Sequence, residues 1–294
     1  MSIRILRSGL RFGEGPRWRD GRLWYSDFYD HAVHAIDLDG NDERIVEVLS
    51  QPSGLGWLPN GDLLISSMLD RTVLRWDGSA LHPYADLSMH FSWHGNDMLV
   101  MPDSGRAYVG NFGFDYEEFL AEHGIEGLFG EPGPTSTVIC RVDPDGAVHV
   151  AAKDMIFPNG MVLTPDGRTL IVAETLALRL TAFDVAADGS LSNRRVWADL
   201  SEQFGAPDGI CLDATGAVWI AAATTPRAMR IAEGGEVLEV IETSMNCYAL
   251  MLGGPEGRHL FMMTAPTSES HAVADVTTAA IEVVEVAVPH AGLP

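Results

Sequence analysis

Basic residues are scarce in this chain, which sets 19 Lys and Arg against 41 Asp and Glu for a formal charge of −22 and a pI near 4.6. Nucleic acid and an anionic membrane surface would both be repelled by such a field, so neither is an expected partner; a small molecule is. Long apolar runs are missing too. Nothing approaches the ~20 residues that cross a bilayer, and the N-terminus MSIRILRSGLRFGEGP has no hydrophobic region of a secretory signal, so the expected location is the cytoplasm. Cysteine is limited to Cys140, Cys211 and Cys247, an odd number of distant residues in strand-like runs, which excludes a disulfide framework and fits buried reduced thiols. No Gly-x-Ser-x-Gly elbow occurs, and serine hydrolysis therefore has no support. No signal bears on oligomeric state.

What the chain does have is repetition. The segments FGEGPRWRDGRLWYSDF, PSGLGWLPNGDLLISSM, GNDMLVMPDSGRAYVGNF, PNGMVLTPDGRTLIVAE, PDGICLDATGAVWIAAA and CYALMLGGPEGRHLFMMTA each pass from a short polar stretch to a turn glycine and an apolar run. The turn glycines are Gly21, Gly61, Gly105, Gly167, Gly216 and Gly257, spaced by 40, 44, 62, 49 and 41 residues. A period near forty marks a repeat architecture, and each unit reads as strand, tight turn, strand, polar break, strand. A lone four-stranded sheet of this composition would expose an apolar face and two edges, whereas six packed radially bury the faces and protect the edges. The expected fold is all-β: a six-bladed β-propeller with four-stranded antiparallel blades, forming one domain over residues 1–294.

In such a ring, equivalent positions of distant repeats converge near the axis. Here that position holds Glu14, Ser53, Asn96, Asn159, Asp208 and the Asn246/Cys247 region. Taken singly, Asn159-Gly160 and Asp208-Gly209 are ordinary turn-forming pairs. Each, however, precedes a separate turn pair, Asp166-Gly167 or Thr215-Gly216, at a matching offset, and Glu14 in Gly-Glu-Gly-Pro is not a favoured turn residue. Carboxylates brought together repel unless they share a proton or hold a cation, and carboxylate with amide oxygens is the hard-donor set of calcium, magnesium or manganese. Only Arg17 lies close in sequence as a neutralising charge.

The segments FGEGPRW, Asn96-Asp97, FPNGMVLTPDGRTLIVAET and APDGICLDATGAVWIA resemble the gluconolactonase and regucalcin family of six-bladed propellers, related to the diisopropyl fluorophosphatases, along essentially the whole chain. The resemblance implies one central divalent ion, calcium first, with zinc, manganese or magnesium as alternatives, held by Glu14, Asn159 and Asp208. It places Asn96 beside the ion in contact with ligand or water, and Asp97 in the same neighbourhood. In the sugar lactonases that this motif resembles, an arginine stands two residues before the pocket asparagine; this chain has His94 there. The leading expectation is a metal-dependent hydrolase of a sugar lactone or another small lactone or ester. Asp208 would act as base or nucleophile, and His94, Asn96 and Asp97 would orient substrate. A phosphotriesterase and a non-catalytic metal-binding propeller are the alternatives.

The period lengthens between Asn111 and Thr137, where NFGFDYEEFLAEHGIEGLFGEPGPTST carries helix-compatible residues from Glu117 to His123 and a breaker at Pro132 to Pro134. Long loops in compact folds are often binding loops, so Phe112, Phe114, Tyr116, Glu117 and Glu118 are expected near the pocket. His31 and His34, three residues apart in a strand-like run, are read as surface or satisfied strand residues.

Overall fold

Six hairpin turns organise the chain, and all six predicted turn glycines adopt a positive φ, between 69° and 94°. The computed structural model describes residues 2–292. These residues form six antiparallel sheets of four strands each. Blades one to five run in chain order over Gly13–Glu47, Pro52–Asp86, Gly95–Met155, Pro158–Asp199 and Pro207–Glu242.

The sixth blade is composite. Its three inner strands lie between Asn246 and Glu285, and its outer strand is Arg4–Leu10 from the other end of the chain, paired from Arg4 with Val283 to Leu10 with Ala279. Closure by the first strand ties the two ends of the ring together. In RILRSGL only Leu6 and Leu10 are buried, the pattern of an outer edge, and so the segment shows little hydrophobic periodicity.

The first strand of each blade is innermost, and successive first strands pack on one another around the axis, the last returning to the first. Four glycines make that approach close. A Cβ on Gly15 would fall 2.6 Å from the Ser53 carbonyl oxygen, on Gly54 2.2 Å from Met98 N, on Gly160 2.5 Å from Ile210 N, and on Gly209 2.6 Å from the Ala249 Cα. Asn159-Gly160 and Asp208-Gly209 therefore lie inside strands, and their glycines serve backbone packing between blades rather than a turn. Gly54→Ala is expected to destabilise by about 1–3 kcal/mol, because backbone atoms of the neighbouring blade must move. The midpoint of denaturant unfolding measures it, and an unchanged midpoint would show that the ring relaxes freely.

The six glycine turns lie at one end of the ring, and the starts of the inner strands lie at the other. Two long connections between second and third strands sit at this second end, residues 112–136 in blade three and 266–278 in blade six. The first carries helix α1, Tyr116–Phe129, capped by Asp115 and broken at Gly124, longer than the 117–123 stretch expected. The second carries α2, Ser270–Val273. The Ser270 backbone N–H donates to Glu117 Oε1 at 3.0 Å, joining the two segments. All three cysteines are free and buried, and burial pushes the Cys140 thiol up to about 12. Among the described residues no helix is long and apolar enough to cross a membrane.

Candidate active site

Each inner strand slips register against its neighbour just after the predicted axial residue, for example between Pro158 and Met161 and between Pro207 and Ile210. The other four inner strands slip at the equivalent place. Such bulges bend a strand and re-aim its side chains. The repeat also settles the sixth position: Cys247 is the counterpart of Asp208, and Asn246 precedes it. The residue after the axial one is Gly15, Gly54, Gly160 or Gly209 in four blades, but Asp97 in the third and Tyr248 in the sixth.

Glu14, Asn96, Asn159 and Asp208 come together along a cavity of about 950 Å³, with His94 in its wall. All four are nearly buried, at 5–7% exposure. Asp97, Ser53 and Cys247 lie outside the cavity lining and are buried behind it.

Burial raises the Glu14 pKa well above the usual carboxylate range, and the Asp208 and Asp97 charges raise it further. Asp208 is raised by burial and then by Asp97. Burial also raises Asp97, against the lowering effect of the Arg17 guanidinium. Arg17 is itself buried, but its Nη1 and Nη2 donate to the carbonyl oxygens of Pro16 at 2.8 Å and Met98 at 2.7 Å rather than to a carboxylate. Arg17 thus offsets Asp97 and Glu14 in part, Asp208 has no such partner, and the cluster is short of positive charge.

The amides are set differently. Asn159 Nδ2 donates to Thr175 Oγ1 at 3.2 Å, and Thr175 Oγ1 in turn donates to the Pro207 carbonyl at 2.7 Å, so the Asn159 Oδ1 is the amide atom left free. Asn96 Nδ2 is buried with no hydrogen-bond partner, and its Oδ1 receives only a long 3.5 Å contact from Ser53 Oγ. Among the described residues no three His, Cys, Asp or Glu side chains cluster as a metal centre. The donor set is instead two carboxylates with carboxamide oxygens, uncompensated in charge, and it fits a hard divalent ion.

Aromatic rings wall the cavity. Phe12 meets Tyr248 at 4.9 Å on one side; on the other Trp93 stacks on His94 at 4.9 Å and Phe112 meets Phe157 at 4.7 Å. Burial lowers the His94 pKa, favouring the neutral imidazole. Burial pushes the Tyr29 and Tyr248 hydroxyls up to about 12, so both are protonated donors. Of the predicted insertion residues, Phe112, Tyr116 and Glu117 line the cavity, whereas Phe114 packs behind against Phe119 and Phe157, and Glu118 stays outside. Trp93, Tyr29, Thr175 and residues 267–271 also line the cavity and stand outside the repeat pattern that marks the axial residues. Tyr248 lines it too, beyond the residues expected from sequence, and its break in a column of glycines is the one signal in the repeat that points to it.

His271 also lines the cavity, but His31 and His34 lie apart from it. His34 Nε2 is 3.0 Å from Asp30 and its Nδ1 is 3.3 Å from Asp42, with Tyr25 stacked on the ring. His31 falls in the preceding turn at φ 54°, so the pair does not share a strand as expected. Burial lowers the His34 pKa and the two carboxylates outweigh it, leaving a net rise above 6.5. A raised folded pKa stabilises fully below the unfolded value and fades as pH climbs through the folded one. His34→Gln is expected to cost about 0.5–1 kcal/mol at acid pH and less at pH above 8. Denaturant titrations at both pH values measure the difference, and an equal cost at both would place the contribution in packing.

The family model described as SMP-30/Gluconolactonase/LRE-like region matches residues 12–266. Regucalcin of Xenopus laevis is 24% identical over 268 residues, covering 89% of this chain and 85% of that protein. Pentonolactonase XacC of Haloferax volcanii is 25% identical over 275 residues, covering 89% and 84%. The solved structure of a calcium-binding protein, regucalcin, from Agrobacterium tumefaciens superposes with a TM-score of 0.75 at 21% identity, covering 99% of this chain and 98% of that one.

Proposed function

Because this chain belongs to the SMP-30/gluconolactonase/LRE-like family, we propose that it hydrolyses a lactone or related ester at the axial cluster of Glu14, Asn96, Asn159 and Asp208. The observation that carries the reading is the pairing of two buried, undercompensated carboxylates with two carboxamides in one cavity. Relatives named as lactonases support the reaction class.

Glu14, Asn159 through its free Oδ1, and Asp208 would hold one divalent ion, calcium first; a fold neighbour described as calcium-binding supports that choice. When bound there, such an ion supplies Lewis-acid polarisation of the ester carbonyl. Asp208 takes the proton of the attacking water. The unpartnered Asn96 Nδ2 donates to oxygen on the substrate, and a donor already in place needs no reorganisation as charge develops there. His94, neutral and held against Trp93, orients the ring. Asp97 and Arg17 set the field behind the cluster. The compartment we assign is the cytoplasm, where the buried thiols stay reduced.

The test is a panel of lactones, aryl esters and phosphotriesters offered to chelated protein and to protein reconstituted with calcium, zinc, manganese or magnesium. Lactone turnover that disappears on chelation and returns with calcium is expected. Preference for phosphotriesters would move the electrophile from carbon to phosphorus, and no turnover in any arm would leave a binding scaffold.

A further inference from the structure

The cavity is distinctive for what its lining lacks. Among the described residues no arginine or lysine lines it, while Asp115, Glu117 and Glu269 join Glu14 and Asp208 as its carboxylates. The arginines in the loops at this end are committed elsewhere. Arg11 donates to the Ala274 carbonyl, Arg71 to that of Phe91, Arg227 to that of Gln203, and Arg179 pairs with Glu174. A phosphate, sulfonate or carboxylate on the substrate would meet no arginine or lysine side chain there, and would face these carboxylates instead.

The walls offer surface of another kind. Phe12, Phe28 and Tyr29 form one contiguous aromatic group with ring centroids 5.4–6.4 Å apart. Phe112, Phe157 and Tyr116 form a second, with spacings of 4.7 and 5.9 Å. At about 950 Å³ the space is near the upper end for cavities that enclose drug-sized ligands. A bare five- or six-membered lactone would leave most of it to water.

On the hydrolase reading above, we propose that the substrate is an uncharged lactone or ester bearing an aromatic or other apolar substituent, which stacks between these two aromatic groups while its carbonyl reaches the axial cluster. Water adds to the acyl carbon, the acyl–oxygen bond breaks, the leaving alkoxide takes a proton, and the new carboxylic acid releases one to solvent.

Two measurements on the calcium-loaded protein test this. The first is calorimetric binding of non-hydrolysable lactams, 5-phenyl-2-pyrrolidinone against the lactam of gluconic acid. The phenyl compound is expected to bind at least about tenfold tighter, the 1.4 kcal/mol of one stacked aromatic group. Tyr29→Ala and Phe112→Leu should each remove most of that preference. The second is kcat/KM for the phenyl-substituted γ-lactone, glucono-δ-lactone and its 6-phosphate, with the order falling in that sequence. Equal or tighter binding of the polyhydroxylated lactam, or faster turnover of the phosphate, overturns the assignment. Tight phenyl-lactam binding without turnover of any lactone would keep the substrate class and remove the hydrolase reading instead.

Discussion

Asp208→Asn, assayed with calcium in excess, is expected to lose about 10²–10⁴ in kcat/KM, the range that a positioned general base contributes. The amide keeps an oxygen at the place of the carboxylate but cannot accept the proton of water. Its environment makes Asp208 the natural carrier of that role. It is nearly buried, it lines the cavity, and no salt-bridge partner or side-chain hydrogen bond to it occurs among the described residues. Occupancy must be measured in parallel, because an ion ligand and a base are otherwise confounded. Asn96→Ala serves as the contrast: loss of one orienting donor should cost about 10–10³ without changing the ion's affinity. Near-wild-type turnover in metal-saturated Asp208→Asn would move the proton transfer to another group, with His94 in the cavity wall or Asp97 behind it next in line.

The ring was legible because its information is local and repeated. Turn glycines at Gly21, Gly61, Gly105, Gly167, Gly216 and Gly257 fix hairpins through their own φ, and six copies of one signal outweigh noise in any of them. The axial column was legible for a similar reason, as an offset from each turn. What Asn159-Gly160 and Asp208-Gly209 concealed was the purpose of the glycine, since a residue that permits a turn and one that lets two backbones touch are the same letter. Closure by Arg4–Leu10 was not legible because an outer strand buries little and pairs with a segment at the far end of the chain. Beyond Phe112 and Tyr116, the aromatic walls escaped for a further reason. Trp93, Tyr29 and Phe157 sit in connections outside the strand pattern, and only the closed ring shows that those connections share one end.

The second large effect is expected at Glu14, and it separates charge from ligation. Glu14→Ala should weaken calcium binding by more than about a hundredfold, since even the loss of a supporting partner to a ligand costs 10–100-fold. The subtler variant is Glu14→Gln. In ion-free protein Glu14 is buried near Asp208 and Asp97, and Arg17 spends its donors on backbone carbonyls, so the carboxylates repel without sufficient counter-charge. Removing one charge while keeping the shape should therefore raise the stability of the ion-free protein by about 1–3 kcal/mol, the scale of a buried group relieved of an unmet demand. With calcium at saturating concentration the order should invert, because ligand binding stabilises the folded state in proportion to the logarithm of occupancy and the variant has lost affinity. Thermal unfolding of wild type and Glu14→Gln, with calcium and with chelator, reads both signs in one experiment and requires no substrate. If Glu14→Gln is less stable than wild type in chelator, the axial carboxylates are already neutralised by shared protons and Glu14 is a structural hydrogen-bonding residue. If the two proteins gain equally from calcium, the ion binds away from the axis and the cluster of Glu14, Asn159 and Asp208 must be explained without it.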